Sequence, residues 1–396
     1  MALLVSALIL VFAVDFGLAQ VSTEVTGILA SDIMWTKSNS PYYLTGPVLV
    51  SNGVTLTIEA GTTVNLNDHY IRVEGTLRAI GTSAAPICFN HGSIGIDSDS
   101  VSWNEQTGSG CVIENSVLDD CPVSIGNVSP KLVGNTIDGG ITIQSYSTGA
   151  PIITDNKIVG GISIPAGSPV VVNNTISSPY SEGSPSIGIS IGPASPTVSH
   201  NNISGCYFGI TVGYTNSTIA NNIISDCQFG LFISANPSNP LTVERNYISG
   251  NTQSGIRIET GSILIQNNTI TDNTVGISFN FHDILAVGSS SRILHNNIYS
   301  NTEYNIDLGF STDIDATNNW WGTTGTSAIN QSIKDFKNDF NLGTVNFVPF
   351  LAEPVPEEMS TPIPEFPSWL ILPLFLMGTV AVTVYKKKLT RGTKIH

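Results

Sequence analysis

The chain contains many short runs in which aliphatic and polar residues alternate. The run Gly-Ile-Thr-Val that begins at Gly209 is typical of them. Alternation with a period of two indicates β-strands rather than helices. Gly, Asn and Asp separate the runs, and these residues supply the left-handed backbone that tight bends require. The pattern therefore predicts a succession of short strands joined by tight turns.

The alternating runs belong to a repeat. Its unit is Asn-x-Ile-Ser/Thr-Gly/Asp-Asn/Cys, followed by Gly-Ile-x-Ile. Successive copies start 18 to 28 residues apart, and none contains a helix long enough to connect parallel strands. The clearest copies begin at Asn201, Asn222, Asn246 and Asn268, and weaker copies begin at Asn115, Asn135, Asn156, Asn174, Asn296 and Asn318.

A single unit of this length cannot bury its own aliphatic residues, whereas stacked units share one continuous core. The predicted fold class is therefore all-β, a single-stranded parallel β-helix of about 12 to 13 coils. With neighbouring strands about 4.8 Å apart, the coils would form a rod about 60 Å long.

The recurring Asn is predicted to be a corner residue rather than a metal ligand. Asn tolerates the left-handed conformation of a tight corner, and stacked amides can hydrogen-bond to one another along the rod. No metal site is expected from it. The predicted structural ladder consists of Asn135, Asn156, Asn174, Asn201, Asn222, Asn246, Asn268 and Asn296.

The repeat unit resembles the PbH1 repeats of the pectin-lyase-like superfamily, which includes NosD-like surface and periplasmic proteins. The segments Trp35–Tyr43, Leu56–Val64 and Asn318–Gly322 resemble the ends of the solenoid in that group. The resemblance implies a right-handed β-helix and a carbohydrate-related role. This fold hosts enzymes, adhesins and structural rods alike.

Both ends of the chain predict export and anchoring. Ala2–Val14 is apolar, and Gly17 and Ala19 are small residues suited to signal-peptide cleavage before Gln20. An uncleaved N-terminal anchor is the alternative. Residues 369–385 are uncharged and apolar, and Lys386, Lys387, Lys388, Arg391 and Lys394 follow them. The basic residues are expected to stay cytoplasmic, which places the rest of the chain outside at the cell surface.

A short element before the apolar segment adds a further expectation. Pro364, Glu365 and Phe366 resemble an archaeal sorting signal of the PEF type, in which a helix and basic residues follow and a sorting protease processes the segment. The membrane and this protease are therefore the expected partners, together with a glycan or another cell-envelope ligand.

The predicted domains follow from these features. Val21–Val48 is expected to cover the first coil, and a helix with Ser327 as its N-cap, extending past Ile333, Phe336 and Phe340, is expected to close the last. The domains are a signal peptide (1–19), an N-terminal cap with the first coils (20–110), the β-helix repeats (111–325), a C-terminal cap helix and strand (326–351), a Pro/Glu-rich linker (352–368), a transmembrane helix (369–385) and a basic cytoplasmic tail (386–396).

The charge balance limits the partners. The chain has 30 acidic and 15 basic residues, a net charge of −15. Such a surface argues against nucleic acid as a partner. It is compatible with bound cations, of which calcium is the candidate, and no other cofactor is expected.

Asp307, Asp313 and Asp315 are the acidic candidates for chemistry. They are close in sequence and suggest a polar turn or a calcium site, since calcium prefers oxygen ligands. The motifs of β-helix glycosidases and lyases are missing, so no catalytic residue is assigned.

Cys206 and Cys227 occupy the same repeat position one coil apart, within disulfide range. A disulfide and a stack of buried thiols are equally compatible with this spacing.

Aromatic residues and sequons complete the candidates. Trp320 and Trp321 are expected in the closing core, and Tyr207, Phe208 and Phe229 in an internal aromatic ladder. Glycosylation is predicted at the sequons of Asn173, Asn202, Asn216, Asn267 and Asn330.

The sequence thus predicts a noncatalytic cell-surface rod that binds or presents carbohydrate or another cell-envelope component. Two alternatives stay open. One is a polysaccharide lyase, hydrolase or epimerase that acts on extracellular glycans. The other is a NosD-like accessory binding module.

Overall fold

The computed structural model describes residues 22–179, 185–213, 215, 217–235, 240–279 and 291–356. The chain divides into a unit of residues 1–355 and a unit of residues 356–396, of which only Pro356 is described. The predicted signal peptide, sorting element and transmembrane helix lie outside these ranges. Within them, no helix is long and apolar enough to cross a membrane.

The first unit is a parallel β-solenoid of about 12 turns, as the repeat predicts. Each coil contributes one strand to each of three faces. Face 1 is a separate sheet of 14 strands, of which the last two are very short. Its strands are β2 (Ile33–Trp35), β4 (Thr55–Ile58), β7 (Thr76–Ile80), β10 (Val112–Glu114), β13 (Lys131–Val133), β16 (Ile152–Thr154), β19 (Val170–Val172), β22 (Thr197–Ser199), β25 (Thr218–Ala220), β28 (Leu241–Glu244), β31 (Ile263–Gln266), β34 (Arg292–Leu294), β37 (Ile314–Asp315) and β39 (Val345–Asn346).

Face 2 follows the recurring Asn in each coil. It consists of β5 (Thr63–Asn65), β8 (Ile87–Asn90), β11 (Ser116–Asp119), β14 (Thr136–Asp138), β17 (Lys157–Val159), β20 (Thr175–Ser177), β23 (Asn202–Ser204), β26 (Ile223–Ser225), β29 (Tyr247–Ser249), β32 (Thr269–Thr271) and β35 (Asn297–Tyr299). The first coils differ, because β1 (Thr23–Leu29) and β3 (Tyr42–Val50) run through faces 2 and 3 without a break.

Face 3 completes each coil and carries the Gly-Ile-x-Ile part of the unit. It consists of β6 (Tyr70–Val73), β9 (Ser93–Ile96), β12 (Val123–Ile125), β15 (Ile141–Ile143), β18 (Ile162–Ile164), β21 (Ile187–Ile191), β24 (Phe208–Val212), β27 (Phe229–Ser234), β30 (Ser254–Thr260), β33 (Val275–Phe279), β36 (Tyr304–Asp307) and β38 (Ile333–Lys334).

Aliphatic side chains from the three faces fill the interior. Ile203, Ile224, Ile248 and Ile270 pair in register from coil to coil on face 2, and each is fully buried. Their alternation with partly exposed residues is what a half-buried strand requires. One apolar cluster therefore runs along the described part of the solenoid, from Trp35 to Val345.

The recurring Asn residues lie in one file, between faces 1 and 2. The backbone N–H and the Nδ2 of Asn201 both donate to Oδ1 of Asn222, each at 3.0 Å. Asn222 donates in the same way to Oδ1 of Asn246, at 2.9 and 3.1 Å. The file begins where Ser116 donates to Asn135, and it continues to Asn319.

The conformational reason for the Asn differs from the prediction. The left-handed residue is the one that precedes each ladder Asn, such as His200 (φ 58°), Arg245 (φ 52°) and His295 (φ 56°). The ladder Asn itself is buried, and its side-chain amide makes the hydrogen bonds of the ladder. Because the ladder position, and not the left-handed position, is the first residue of the repeat unit, two copies start one residue later than predicted. Asn115 and Asn318 are left-handed corner residues, and Ser116 and Asn319 are in the file.

A second ladder lies at the corner between faces 2 and 3, and it was not predicted. The backbone N–H of Cys227 donates to Oδ1 of Asn251 at 3.1 Å. Asn251 donates from its backbone to Asn273, and Asn273 to Asn301, each at 3.1 Å. These residues share the sixth position of the repeat unit with Cys206.

The N-terminal end corrects the predicted cap. Val21–Val48 was expected to cover the first coil, but β1 pairs in parallel with β3 and is itself that coil. Ile28 and Met34 in this end coil are 68% and 58% exposed. A single-turn 3-10 helix (Lys37–Asn39) joins β2 to β3.

The C-terminal helix is shorter than predicted. Helix α1 spans Thr326–Gln331, with Gly325 rather than Ser327 as its N-cap. Ile333 belongs to strand β38, because it continues the buried file of Ile306. Phe336 and Phe340 were expected on the apolar face of the helix, but they are exposed. Trp321 is buried against Phe347, as expected for the closing core.

The predicted linker begins on the surface of the solenoid. The backbone of Leu351 donates to the carbonyl of Asn319 at 2.9 Å. Four residues later, Val355 exchanges two hydrogen bonds with the side-chain amide of Asn297, at 2.8 and 2.9 Å. Residues 352–355 are therefore attached to the last coils rather than free in solvent.

We predict that Asn222→Ala lowers the free energy of unfolding by about 2 to 4 kcal/mol, because it leaves several buried groups unpaired. The backbone N–H of Asn201 loses its acceptor, and the carbonyls of Val198 and Ala220 lose the donor that Asn222 supplies. Asn202→Ala is the control, since the exposed Asn202 is next to the same ladder. Chemical denaturation of both variants is the measurement. Equal losses in the two would contradict the structural role of the ladder.

Candidate functional site

Face 3 has a file of hydroxyl side chains on its outer surface. Ser124, Thr142, Ser163, Ser190 and Thr211 pair in register over five successive coils. Each stands between buried aliphatic residues of its strand and is itself partly or fully exposed. The outer surface of these coils is therefore a narrow polar strip along the solenoid axis.

A shallow depression of about 400 Å³ lies on this strip. Thr142, Ser163 and Ser190 line it, together with Gly160 and Gly161 at the corner. Gly161 has a φ of +78°, and a Cβ there would lie 2.1 Å from the carbonyl oxygen of Ile187. Position 161 therefore accepts only glycine, because the backbone of the next coil lies where a side chain would be.

The strip leads onto an aromatic cluster, which consists of Tyr207, Phe208, Phe229 and Phe232. Phe208 stacks on Phe229 with ring centroids 5.4 Å apart, and Phe232 meets Phe208 edge to face at 4.8 Å. Phe232 is the next residue of the hydroxyl file after Thr211. Such stacked and edge-to-face pairs are the favourable arrangements of aromatic rings.

The prediction of an internal aromatic ladder is only partly correct. Phe229 is buried, but Tyr207, Phe208 and Phe232 are partly exposed on the outer surface of face 3. Phe232 was not among the predicted residues, although its pairing with Thr211 follows from aligning the repeat units.

Arg257 is the next residue of the same file. Its guanidinium carbon lies 5.2 Å from the ring centroid of Phe229 and 5.8 Å from that of Phe232. Its Nε is 2.5 Å from Oε1 of Glu259, so the cation is paired. The cation–π contacts and the ion pair together hold the guanidinium over the aromatic cluster.

The three acidic candidates do not converge. Asp307 is on face 3, 2.9 Å from Nζ of Lys334, and this pairing raises the pKa of Lys334. Asp313 accepts a hydrogen bond from the backbone of Thr344 at 2.7 Å, near face 1. Because β36 and β37 belong to different faces, closeness in sequence does not bring these carboxylates together.

Asp315 is also engaged, with Arg292 on face 1 at 3.2 Å. Burial disfavours its carboxylate, but the hydrogen bonds from Thr317 and the Arg292 cation outweigh that cost and lower its pKa. Across the described ranges, no three His, Cys, Asp or Glu side chains are grouped closely enough to bind a metal ion. Calcium therefore gains no site from the predicted acidic cluster.

All five cysteines are free thiols in the structure. Cys206 and Cys227 are buried one coil apart, and the hydrogen bond between their thiols, together with burial, raises the pKa of Cys227. Burial also raises the pKa of Cys121 to about 12. A disulfide between Cys206 and Cys227 stays a prediction, which peptide mapping under non-reducing conditions would check.

The predicted glycosylation sites differ in accessibility. Asn173, Asn202 and Asn330 are exposed, and Asn267 is partly exposed at a corner. Asn216 lies outside the described residues. Asn173 also donates to the carboxylate of Asp155, which a glycan would displace.

Comparison with known proteins bears on the fold. A family model described as a right handed beta helix region matches residues 140–284. The chain has the right-handed parallel β-helix fold. This agrees with the hand that the PbH1-like repeats imply. No curated protein matches the sequence.

Several solved structures are similar at low identity. A double mutant of the periplasmic alginate epimerase AlgG is 13% identical over 77% of both chains, with a TM-score of 0.43. The Dettilon tailspike protein is 13% identical over 83% of this chain and 62% of its own, with a TM-score of 0.28. The catalytic domain of GH87 alpha-1,3-glucanase, in complex with nigerose, is 12% identical over 83% of this chain and 64% of its own, with a TM-score of 0.27.

The environments of Cys121 and Cys88 predict which of the two thiols is alkylated faster. With a pKa of about 12, Cys121 has a thiolate fraction of roughly 10⁻⁴ at pH 8, and it is also fully buried. We expect iodoacetamide to alkylate Cys121 at least about 100-fold more slowly than the partly exposed Cys88 in the folded protein. Mass spectrometry of the labelled peptides is the measurement, with the unfolded protein as control. Equal rates at the two thiols would contradict the burial of Cys121.

Proposed function

We propose that the chain is an exported, noncatalytic β-helix protein that binds carbohydrate on the outer surface of face 3. The observation that carries the proposal is the continuous file from the hydroxyl strip, through Phe232, to Arg257. Hydroxyl groups, an aromatic ring and a cation thus follow one another in successive coils along one exposed surface.

This combination suits a sugar. The rim of a sugar ring bears hydroxyl groups that both donate and accept hydrogen bonds, as the Ser and Thr side chains do. The face of the ring bears C–H groups, which pack on aromatic rings such as Phe208 and Phe232. A mostly apolar patch with a few polar groups that fix orientation is the usual form of a ligand site.

The carboxylates of this surface support binding rather than catalysis. Glycoside hydrolysis needs two carboxyl groups about 5 to 9.5 Å apart on either side of the bond, one of them free to give a proton. On the described part of face 3, Glu259 is paired with Arg257, and Asp307 with Lys334. Neither pair leaves a carboxyl group available for this role.

The location belongs to the same proposal. The signal-peptide pattern of residues 1–19 and the apolar segment 369–385 with its basic tail support a surface protein that one C-terminal helix holds in the membrane before sorting. The Pro364-Glu365-Phe366 element supports processing by a sorting protease. The linker that begins at Ala352 would then connect the solenoid to the membrane.

The binding prediction concerns Phe232. On an array of polysaccharides, Phe232→Ala is expected to bind its carbohydrate about tenfold more weakly, because it loses the ring against which a sugar would pack. Phe336→Ala is the matched control, since Phe336 is exposed outside face 3. Equal binding by both variants would contradict the site. Release of unsaturated or shortened sugars by the wild-type protein would favour the lyase, epimerase or hydrolase alternative instead.

The anchoring prediction concerns the C-terminal segment. Deletion of residues 369–396 is expected to move the protein from the membrane fraction to the medium of the producing cells. Replacing Pro364, Glu365 and Phe366 with Ala separates anchoring from sorting. Mass spectrometry of the mature C-terminus should find residues 369–396 retained in this variant and removed in the wild type. Retention in both would refute the sorting step.

A further inference from the structure

Resting on the proposed function, we infer that the ligand is an uncharged polysaccharide strand that lies along the solenoid axis, with about one sugar for each coil. The inference concerns the class of the ligand and its direction. It is carried by the charge distribution on face 3 and by the spacing of its hydroxyl file.

Face 3 is uncharged over a long stretch. Seven consecutive strands, from β9 to β27, contain no Asp, Glu, Lys or Arg, although the chain has 30 acidic and 15 basic residues. The nearest charged residues on its strands are Arg72 and Arg257. Arg72 is paired with Asp97 at 2.6 Å, and Arg257 with Glu259.

The other faces carry charged residues in the earlier of these coils, those of β9 to β18. Face 1 carries Glu114 in β10 and Lys131 in β13. Face 2 carries Asp119 in β11, Asp138 in β14 and Lys157 in β17. In the coils of β21, β24 and β27 the strands of all three faces are uncharged, so face 3 differs from the other faces in the coils of β9 to β18.

This neutrality selects against acidic sugars. A uronate strand on β9 to β27 would place a carboxylate on each ring where no strand residue offers a cation. Removing such a group from water without a charged partner is unfavourable. The net charge of −15 would also repel a polyanion. A neutral strand meets neither penalty.

The hydroxyl file sets the direction in which the polysaccharide strand would lie. Thr142 is exposed, and Ser163, Ser190 and Thr211 are partly exposed, so a ligand on the outer surface of face 3 could reach their side chains. They recur once per coil, about 4.8 Å apart along the axis. This is close to the length of one sugar ring in an extended glycan, so a strand along the axis would offer each coil an equivalent group.

The length of the site follows from the register. Ser124 and Arg257 are separated by six coil steps, through Thr142, Ser163, Ser190, Thr211 and Phe232. Six steps of about 4.8 Å make about 29 Å. The strip therefore matches a ligand of about six or seven sugars, with the aromatic cluster near one end.

The test uses neutral oligosaccharides and their acidic counterparts. Mannose, galactose, glucose and xylose oligomers, from dimers to decamers, are titrated into the protein by calorimetry. Polymannuronate and polygalacturonate oligomers serve as the carboxylated counterparts of the first two. We expect the affinity for one neutral series to rise with each added sugar and to level off at about six or seven. A tenfold increase in salt should leave this affinity within about twofold, because the ligand carries no charge and Arg257, the one cation of the strip, is paired with Glu259.

Matched double variants locate the strand. Ser190→Ala with Thr211→Val removes two hydroxyls from face 3, and Ser177→Ala with Ser204→Ala removes two from face 2 of the same two coils. The face 3 variant should bind the longest neutral oligomer about tenfold more weakly. The face 2 variant should bind like the wild type.

The outcomes separate this inference from the proposed function. Preferred binding of uronate oligomers, a strong salt dependence, or full affinity already at the dimer would overturn the neutral, axial strand while leaving carbohydrate binding intact. Equal binding by the two double variants would overturn the placement on face 3. If no oligomer binds, and no polysaccharide on the array does, the proposed function fails as well.

Discussion

The structure depends on the satisfaction of buried polar groups at corners that every coil must turn. A chain that bends three times per coil leaves backbone donors and acceptors without strand partners, and water cannot reach those that are buried. The Asn ladder solves this between faces 1 and 2, since each amide accepts two hydrogen bonds from one neighbouring coil and donates to backbone carbonyls. The aliphatic core can then be continuous because its polar rim is paired.

The ladders also explain why face 3 is available for a ligand. The corner amides and the inward aliphatic residues carry the structure, so the outward positions of each strand are free to vary. In the coils of β9 to β18 the outward positions of faces 1 and 2 include charged residues, whereas on face 3 they hold hydroxyls and, further along, an aromatic cluster. The outer surface of one face can therefore acquire a binding role without changes to the interior.

Much of the fold is visible in the sequence because the repeat fixes it. Asn201, Asn222, Asn246 and Asn268 recur with the same following Ile, and only stacking explains that regularity. The second ladder escaped prediction because Cys206, Cys227 and Asn251 share a position but not a side chain. The helix was predicted to be too long because Ile333, Phe336 and Phe340 have helical spacing by coincidence. Ile333 instead lies in a strand, since its side chain continues the buried file of Ile306. Phe232 and Arg257 both occupy the x position of Gly-Ile-x-Ile, so aligning the units makes them neighbours. What the repeat does not show is that the guanidinium of Arg257 also contacts the ring of Phe229.

The contact between Val355 and Asn297 has a mechanical consequence. Any load applied to the chain beyond Pro356 reaches the solenoid first at Asn297, one coil inside its end. The two hydrogen bonds share that load and must break together, and only then could the last coil peel away strand by strand. Tension on the chain would therefore be borne by the contact with Asn297 before it reached the terminal coil.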